Sequence, residues 1–176
     1  MHPSSINNMK RARDLLGSRI GTDLTILDVG GRALNPDKDR SYKAIWEDVV
    51  AHKKYYVADI VNGHNVTHHM KEPYSIPLPD ESVDLVVSGQ TLEHVKNPFR
   101  SVAEMKRCMK KGAFIILIAP STGPFHDKVD CWRFLEDSFK AIAEDVGLKV
   151  IADWIDREAP DERSQRWKDH VFIGQK

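Results

Sequence analysis

The chain has few of the features that mark several large classes of protein. Its two cysteines, Cys108 and Cys131, are too few for a disulfide scaffold, and no Cys/His spacing resembles a zinc site. Lys and Arg number 26, and Asp and Glu also number 26, so the chain lacks the basic excess that nucleic-acid binding normally leaves. The longest apolar run, residues 113–119, is far shorter than the roughly 20 residues that span a bilayer. We therefore expect neither a nucleic-acid partner nor a membrane span.

The sequence does not indicate secretion or several domains either. Residues 1–5 lack the apolar core of a signal peptide, from which we expect a cytoplasmic protein. The 176 residues, 41% hydrophobic and 30% charged, are ordinary for one globular domain without repeats or low-complexity linkers. We therefore predict a single domain over residues 1–176, with an N-terminal helix within residues 1–20 and the core over residues 24–176.

The most informative feature is an apolar run that contains an acid and ends in two glycines, Thr25-Ile26-Leu27-Asp28-Val29-Gly30-Gly31. Glycine lets a backbone turn tightly and approach a ligand closely. A second apolar run, residues 55–58, ends at Asp59. In an open α/β sheet, two neighbouring strands of this kind place a glycine turn and a carboxylate at one edge, where the carboxylate can bind ribose hydroxyls. The two runs together indicate a nucleoside-containing cofactor.

Apolar periodicity and turn residues predict strands that alternate with helices. The predicted strands cover residues 24–29, 55–58, 83–88, 114–119, 148–154 and 171–174, with a further short strand near 65–68. The predicted helices cover residues 5–16, 42–50, 97–112 and 136–146. This alternation predicts a doubly wound α/β sandwich of three layers. Since no helix is predicted between the last two strands, we expect them to form an antiparallel pair at one edge of the sheet.

Several conspicuous side chains have structural interpretations. Four basic residues fall in the last turn of the predicted helix 97–112, where cations complement the helix dipole: Lys106, Arg107, Lys110 and Lys111. Trp46 is interpreted as core packing, and His68 and His69 as solvated. Glu93 is interpreted as stabilising the start of a helix.

The order of these pieces resembles the class I S-adenosylmethionine-dependent methyltransferases, specifically their small type 11 branch. Residues 76–88, IPLPDESVDLVVS, resemble the family's LPFPDESFDLVVS, and residues 92–95 match its LEHV. Residues 104–112 are similar to a family helix of the EMxRxxKxGG kind. Residues 125–134, FHDKVDCWRF, resemble H-x3-D-x-W-R-F, a signature of a subgroup associated with glycan and natural-product tailoring.

The resemblance implies S-adenosylmethionine as cofactor and a Rossmann-like, mostly parallel seven-stranded sheet with an antiparallel last strand. Gly30 and its neighbours would face the methionine part of the cofactor, Asp59 would hold the ribose hydroxyls, and Ile60 would flank the adenine. Ser88 and Gln90 would contact the amino-acid end or the reacting centre. The cofactor-binding residues implied in this way are Asp28, Gly30, Gly31, Asp59, Ile60, Glu72, Ser88 and Gln90.

The glycine turn departs from the usual dinucleotide pattern. The family motif is G-x-G-x-G, whereas this chain reads Gly-Gly-Arg-Ala-Leu over residues 30–34. The interval from Gly30 to Asp59 is 29 residues, longer than the roughly 20 of dinucleotide-binding units. Both departures disfavour an NAD-dependent enzyme.

Methyl transfer from a sulfonium is an in-line displacement that depends mainly on positioning, and a hydroxyl acceptor also benefits from a general base. His126 is our leading candidate base, with Asp130 placed to orient its ring, and His94 is a second candidate. We expect Arg133 to bind a carboxylate or phosphate and Trp132 to stack on a sugar or another ring. Alternatively, His126, Asp130 and Arg133 form a structural clasp. No metal is predicted, since a cation on His126, Asp127 and Asp130 is weakly supported.

These observations predict methyl transfer from S-adenosylmethionine to a small-molecule or glycan-precursor acceptor, at oxygen, with nitrogen as the other choice. The alternative from another class is a non-catalytic methyltransferase-like domain that binds a partner. Because so compact a chain leaves an open active site, we expect either a large acceptor or closure by a second copy in a homodimer.

Overall fold

Seven strands form one mixed sheet in the part of the chain that the computed structural model describes, residues 3–33, 42–47, 52–158 and 161–176. The strands are β1 Asp23–Val29, β2 His52–Asp59, β3 His68–His69, β4 Val83–Gly89, β5 Met109–Pro120, β6 Lys149–Ile155 and β7 Asp169–Gln175. Their order in the sheet is β3-β2-β1-β4-β5-β7-β6. Strands β1 to β5 pair in parallel, and β7 runs antiparallel to both β5 and β6. The predicted seven-stranded sheet with an antiparallel last strand is confirmed.

Helices cover both faces of the sheet and create two cores. The helices are α1 Pro3–Leu16, α2 Lys43–Glu47, α3 Pro98–Cys108, α4 Ser138–Val146 and α5 Glu162–Trp167. One core contains Met105 of α3 and Phe139 of α4, and the other contains Met9 of α1 and Trp46 of α2, so the interpretation of Trp46 as core is confirmed. Side chains of β5 alternate between the two cores, because a parallel central strand is buried on both faces. No described helix has the length and apolar character needed to cross a bilayer.

One predicted helix ends earlier in the structure, and the end of another cannot be compared. Helix α3 ends at Cys108 rather than at residue 112, because Met109 takes an extended conformation and begins β5. Lys110 therefore lies in a strand, where its Nζ is 2.8 Å from Asp84 Oδ1, and the dipole interpretation of the basic cluster is wrong for that residue and Lys111. In the predicted helix 42–50, residues 48–50 lie outside the described residues.

The prediction that no helix separates the last two strands is also wrong. Helix α5 lies between β6 and β7, and Asp161 caps its start by accepting a hydrogen bond from the backbone N–H of Ser164. The helix is only six residues long, which is too short to give a clear apolar period. The antiparallel pairing of β6 with β7 is nevertheless confirmed, with β6 at the sheet edge.

The proline-containing loop before β4 is fastened by Arg107 of α3. Its guanidinium donates to both carboxylate oxygens of Glu104 at 2.9 Å, and to the carbonyls of Ile76 at 3.0 Å and Leu78 at 2.9 Å. Although burial acts in the opposite direction, the hydrogen bonds from Arg107 and the Ile76 N–H lower the pKa of Glu104. The family-like segment before β4 is thus held by a charged network that fixes where the strand begins.

Replacing Arg107 by alanine is expected to lower the free energy of unfolding by about 2–3 kcal/mol, because two loop carbonyls and a partly buried carboxylate lose their donor. Lys110→Ala is the matched control, since it removes an exposed ion pair with Asp84 that is worth roughly 0–1 kcal/mol. Urea denaturation of the two variants measures both values. Equal losses would contradict the anchoring role.

Candidate active site at the carboxyl edge of the sheet

The residues that follow the parallel strands meet at one edge of the sheet. Gly30 follows β1, Ile60 follows β2, Gln90 follows β4 and Ser121 follows β5. Because these four strands run in the same direction, their carboxyl ends share an edge. The polar side chains predicted to act in binding or catalysis lie on segments that begin at this edge or, for Asp28, Asp59 and Ser88, near the ends of the strands.

The turn after β1 requires glycine twice. Gly30 has φ +78°, its N–H donates to the carbonyl of Ala58 at 2.8 Å, and a Cβ there would lie 2.2 Å from Thr91 Oγ1. A Cβ on Gly31 would lie 2.4 Å from the carboxylate carbon of Asp28. The turn therefore packs against both β1 and the end of β4. It forms a cradle of bare backbone at the ligand edge, which fits a cofactor that must approach the main chain closely.

Asp28 and Ser88 lie beneath this turn. The Asp28 carboxylate is buried under Gly31 and accepts a hydrogen bond from the Tyr55 hydroxyl at 2.8 Å. The buried Ser88 hydroxyl donates to the carbonyl of Val29 at 2.8 Å, which ties β4 to β1. In this structure both predicted cofactor residues support the glycine turn from below.

Asp59 closes β2 with its carboxylate held in place. Oδ1 accepts from the backbone N–H of Val61 at 2.8 Å and lies 4.0 Å from the Nε of Arg32. The side chains of Ile60 and Val61 are about half exposed beside it. A fixed carboxylate next to an apolar surface suits a ribose with an attached base. Arg32 was missed by sequence reasoning, because its contact with Asp59 depends on how the turn folds back.

Glu72 and Gln90 are two further residues predicted to bind the cofactor. Glu72 is exposed in the segment after β3. Gln90, with φ +57°, turns its side-chain amide to the buried Asp169 at the start of β7, and donates to Oδ1 at 3.0 Å. The amide thus joins β4 to β7.

The loop after β5 brings His126 and Asp130 together, as the sequence predicts. His126 Nδ1 lies 2.9 Å from Asp130 Oδ2, which also accepts the backbone N–H of His126 at 3.0 Å. Arg133 donates to both oxygens of Asp130, at 2.6 and 2.8 Å. These hydrogen bonds, the one from Arg133 foremost, hold the pKa of Asp130 well below its usual range. An ionised Asp130 favours the proton on Nδ1 of His126, which leaves the lone pair on Nε2.

Arg133 and Trp132 are bonded within the protein as well. Arg133 donates to the carbonyls of Gly123 at 3.1 Å and Pro124 at 2.5 Å, so the predicted clasp exists and its guanidinium is engaged inside the loop. The indole N–H of Trp132 donates to the carbonyl of Val95 at 2.8 Å, while 41% of the residue remains exposed.

His94 lies opposite His126, at the end of the turn Leu92–His94. The two ring centroids are 5.0 Å apart, and His94 Nδ1 lies 2.5 Å from the carbonyl oxygen of Val129. The ring of Trp167 from α5 lies 4.7 Å from that of His126 on another side. Trp167 also fills the space that a Cβ on Gly123 would need. Sequence reasoning missed Trp167, since nothing local links α5 to the loop after β5.

Glu93 is the other functional candidate that sequence reasoning missed. Its side chain is fully buried, and neither carboxylate oxygen has a hydrogen-bond partner among the described residues. Oε1 lies 3.7 Å from His94 Nε2. Burial raises the pKa of Glu93 to about 8. Glu93 lies in the first turn of the short helix Leu92–His94, as expected, and it places a buried carboxyl group without a hydrogen-bond partner among the described residues beside His94.

Comparison with known proteins gives this site a family context. Residues 44–117 match a family model described as "Methyltransferase domain". A Mycolicibacterium smegmatis protein described as "Probable S-adenosylmethionine-dependent methyltransferase" is 33% identical over 115 residues, which cover 62% of this chain and 38% of that protein. This chain spans well under half the length of the curated relatives that it matches.

Solved structures share the fold along almost the whole chain. A SAM-dependent methyltransferase from Aquifex aeolicus has a TM-score of 0.67 at 21% identity, covering 99% of this chain and 93% of that one. The 1,6-didemethyltoxoflavin-N1-methyltransferase of Burkholderia thailandensis, solved with 1,6-didemethyltoxoflavin and S-adenosylhomocysteine bound, has a TM-score of 0.69 at 13% identity, covering 98% and 80%. With the sheet order, these likenesses show that the chain has the Rossmann-like fold of the class I S-adenosylmethionine-dependent methyltransferases.

Proposed function

We propose that this protein transfers the methyl group of S-adenosylmethionine to a hydroxyl of a small molecule or glycan precursor. The observation that carries the proposal is the pairing of His126 with an ionised Asp130 at the ligand edge of the sheet. The two halves of the site are connected. Thr91 packs against Gly30, and the turn that follows it ends at His94, beside His126.

The cofactor would lie over the glycine turn. The backbone at Gly30 and Gly31 would accommodate the methionine part, and Asp59 would bind the ribose hydroxyls once Arg32 releases its loose, 4.0 Å contact. The half-exposed Ile60 would cover the adenine. S-adenosylmethionine supplies an activated methyl on a sulfonium, so the protein mainly positions the acceptor and excludes water.

The acceptor would be deprotonated by His126. With Nδ1 held by Asp130, Nε2 can take the proton of a hydroxyl as the oxygen attacks the methyl group. A hydroxyl gains more from such a base than a neutral amine, which already carries a nucleophilic lone pair. The Burkholderia methyltransferase acts on a nitrogen, which keeps an N-methyl acceptor as the second choice.

The surface around His126 suits an acceptor with an apolar face. Phe125 is 74% exposed and Val129 44%, on the same loop as the half-exposed ring of Trp132. Aromatic rings on such a surface stack against sugar faces and other ring systems. This open arrangement also agrees with a homodimer, in which a second copy would close the site.

A non-catalytic binding domain is the second candidate. The approach of Arg32 to Asp59 favours it, because the guanidinium stands where ribose hydroxyls would bind. The His126–Asp130 pair speaks against it, since a binding domain has no use for an oriented base.

A thermal-shift titration with S-adenosylmethionine, S-adenosylhomocysteine and NAD tests the cofactor site. A ligand at about 100 times its Kd should stabilise the fold by roughly 2.7 kcal/mol, on the order of 5–10 °C at this chain length. We expect the shift with the first two compounds and its loss in Asp59→Ala. Asp23→Ala, at the opposite end of β1, is the control that should keep it.

The other outcomes separate the rival functions. A shift with NAD alone would overturn the methyltransferase proposal. No shift with any of the three compounds would favour the partner-binding domain.

A further inference from the structure

We propose that Glu93, His94 and His126 form a binding site for a divalent transition-metal ion, zinc in the first place. The inference goes beyond methyl transfer and does not depend on it. It differs from our expectation from the sequence, in which no metal is predicted. The cation ligands considered there are His126, Asp127 and Asp130 on the loop after β5, here called the loop set.

The three side chains have the spacing of a metal site. One donor atom from each lies within 4.8 Å of the others, and Glu93 Oε1 is 3.7 Å from His94 Nε2. In a tetrahedral zinc site with bonds near 2.1 Å, the donor atoms stand about 3.4 Å apart. Small side-chain movements would therefore bring all three donors to an ion.

The histidine rings are held as metal ligands usually are. His94 Nδ1 lies 2.5 Å from the carbonyl of Val129, and His126 Nδ1 lies 2.9 Å from the carboxylate of Asp130. Such outer partners keep the proton on one ring nitrogen and leave the other for the metal. Carbonyl–histidine and carboxylate–histidine pairs of this kind recur around protein-bound zinc.

The carboxylate of Glu93 supplies the independent observation. It is fully buried, both its oxygens lack a hydrogen-bond partner among the described residues, and one of them faces a histidine nitrogen. Leaving a buried polar group unsatisfied is costly, and an ion bound there would remove that cost. Asp130 and Asp169 add negative charge around Glu93, and the charge of Arg133 opposes it.

The donor set favours zinc over magnesium. Two imidazoles and one carboxylate suit zinc and neighbouring transition metals, whereas magnesium prefers oxygen donors and retains its waters. The loop set is less suitable, because Asp130 is occupied by Arg133 and Asp127 accepts the N–H of Lys128. Three protein ligands leave a fourth position open for a water or the acceptor hydroxyl, whose pKa the ion would lower. In the metal-bound form the ion would thus replace His126 in activating the acceptor.

Isothermal titration calorimetry of the full chain, stripped with EDTA and dialysed, tests the site with Zn²⁺, Co²⁺ and Mg²⁺. We expect one Zn²⁺ per chain, the visible absorption of four-coordinate Co²⁺, and no measurable binding of Mg²⁺. Glu93→Gln and His94→Ala should each weaken Zn²⁺ binding at least 10-fold. Asp127→Asn and His68→Ala, outside the set, should leave it unchanged.

The outcomes decide the proposal without reference to activity. Zn²⁺ binding that survives Glu93→Gln, or that Asp127→Asn abolishes, would overturn it, and so would the absence of binding. Glu93→Gln keeps the shape of the side chain and replaces a buried carboxyl group, whose pKa burial raises, by a neutral amide, so the melting temperature should not fall. The titration contains neither S-adenosylmethionine nor an acceptor. Failure to bind Zn²⁺ would therefore leave the methyl-transfer proposal standing, and failure of methyl transfer would leave the zinc proposal standing.

Discussion

Replacing His126 by alanine is expected to lower kcat for methyl transfer about 10²–10⁴-fold in metal-free protein, the usual contribution of a positioned general base. The reason is that the substitution removes the ring that Asp130 orients, while cofactor binding at Gly30 and Asp59 is untouched. The rate is measured as S-adenosylhomocysteine formed at saturating cofactor, with the best acceptor from a screen of hydroxylated small molecules and sugars. The thermal shift with S-adenosylmethionine should stay as in the unaltered protein.

Two aspartates on the same loop provide the control for this experiment. Asp130→Asn removes the carboxylate that orients His126 and should also reduce kcat, although the amide that replaces it would retain part of the loop's hydrogen bonding. Asp127→Asn alters an exposed residue that accepts a backbone N–H and should leave kcat within about twofold. A His126→Ala enzyme with less than a threefold loss would show that the pair is only a structural clasp.

Substituting Gly30 by alanine is expected to have the largest effect on both stability and cofactor binding. Strain at φ +78° adds about 1–2 kcal/mol, and the collision with Thr91 adds about 1–3 kcal/mol, so the free energy of unfolding should fall by roughly 2–5 kcal/mol. A rotation of the Thr91 side chain does not relieve the overlap, because its Cβ also lies only 2.8 Å away. The thermal shift with S-adenosylmethionine should disappear.

Gly112 is a closely matched control for the backbone strain. Its φ is +79°, yet a Cβ there would meet no atom within 4 Å among the described residues. Gly112→Ala should therefore lose only about 1–2 kcal/mol and keep the response to cofactor. Urea denaturation and thermal-shift titration of both variants give the comparison. Similar losses in the two would mean that strain, and not the close packing of the turn on β4, makes glycine necessary at residue 30.

The fold is largely predictable from local signals in the sequence. Alternating apolar runs and turn residues identify the main strands and four of the helices, because each signal lies within a few residues of the element that it marks. The errors are at elements without such signals. Helix α5 has six residues and a cap at Asp161, and the end of α3 depends on where β5 begins to pair with β4.

The candidate site is predictable only where its partners are close in sequence. His126 and Asp130 are four residues apart on one loop, so their pairing follows from spacing. The contact of Trp167 with His126 joins segments 41 residues apart, and the isolation of the Glu93 carboxylate results from packing on all sides. Neither a distant contact nor complete burial of an acid has a sequence pattern of its own.

The strand order has a consequence for how the chain acquires its structure during synthesis. Strand β7 lies between β5 and β6. Strand β6 therefore cannot join the sheet until β7, which is synthesised after it, has paired with β5. Until residues 169–175 leave the ribosome, the long apolar edge of β5 has no neighbour on that side. Pairings between distant segments form slowly, and an unpaired apolar edge invites aggregation. The nascent protein therefore passes through an interval in which its most hydrophobic strand depends on chaperones or on rapid synthesis of β7.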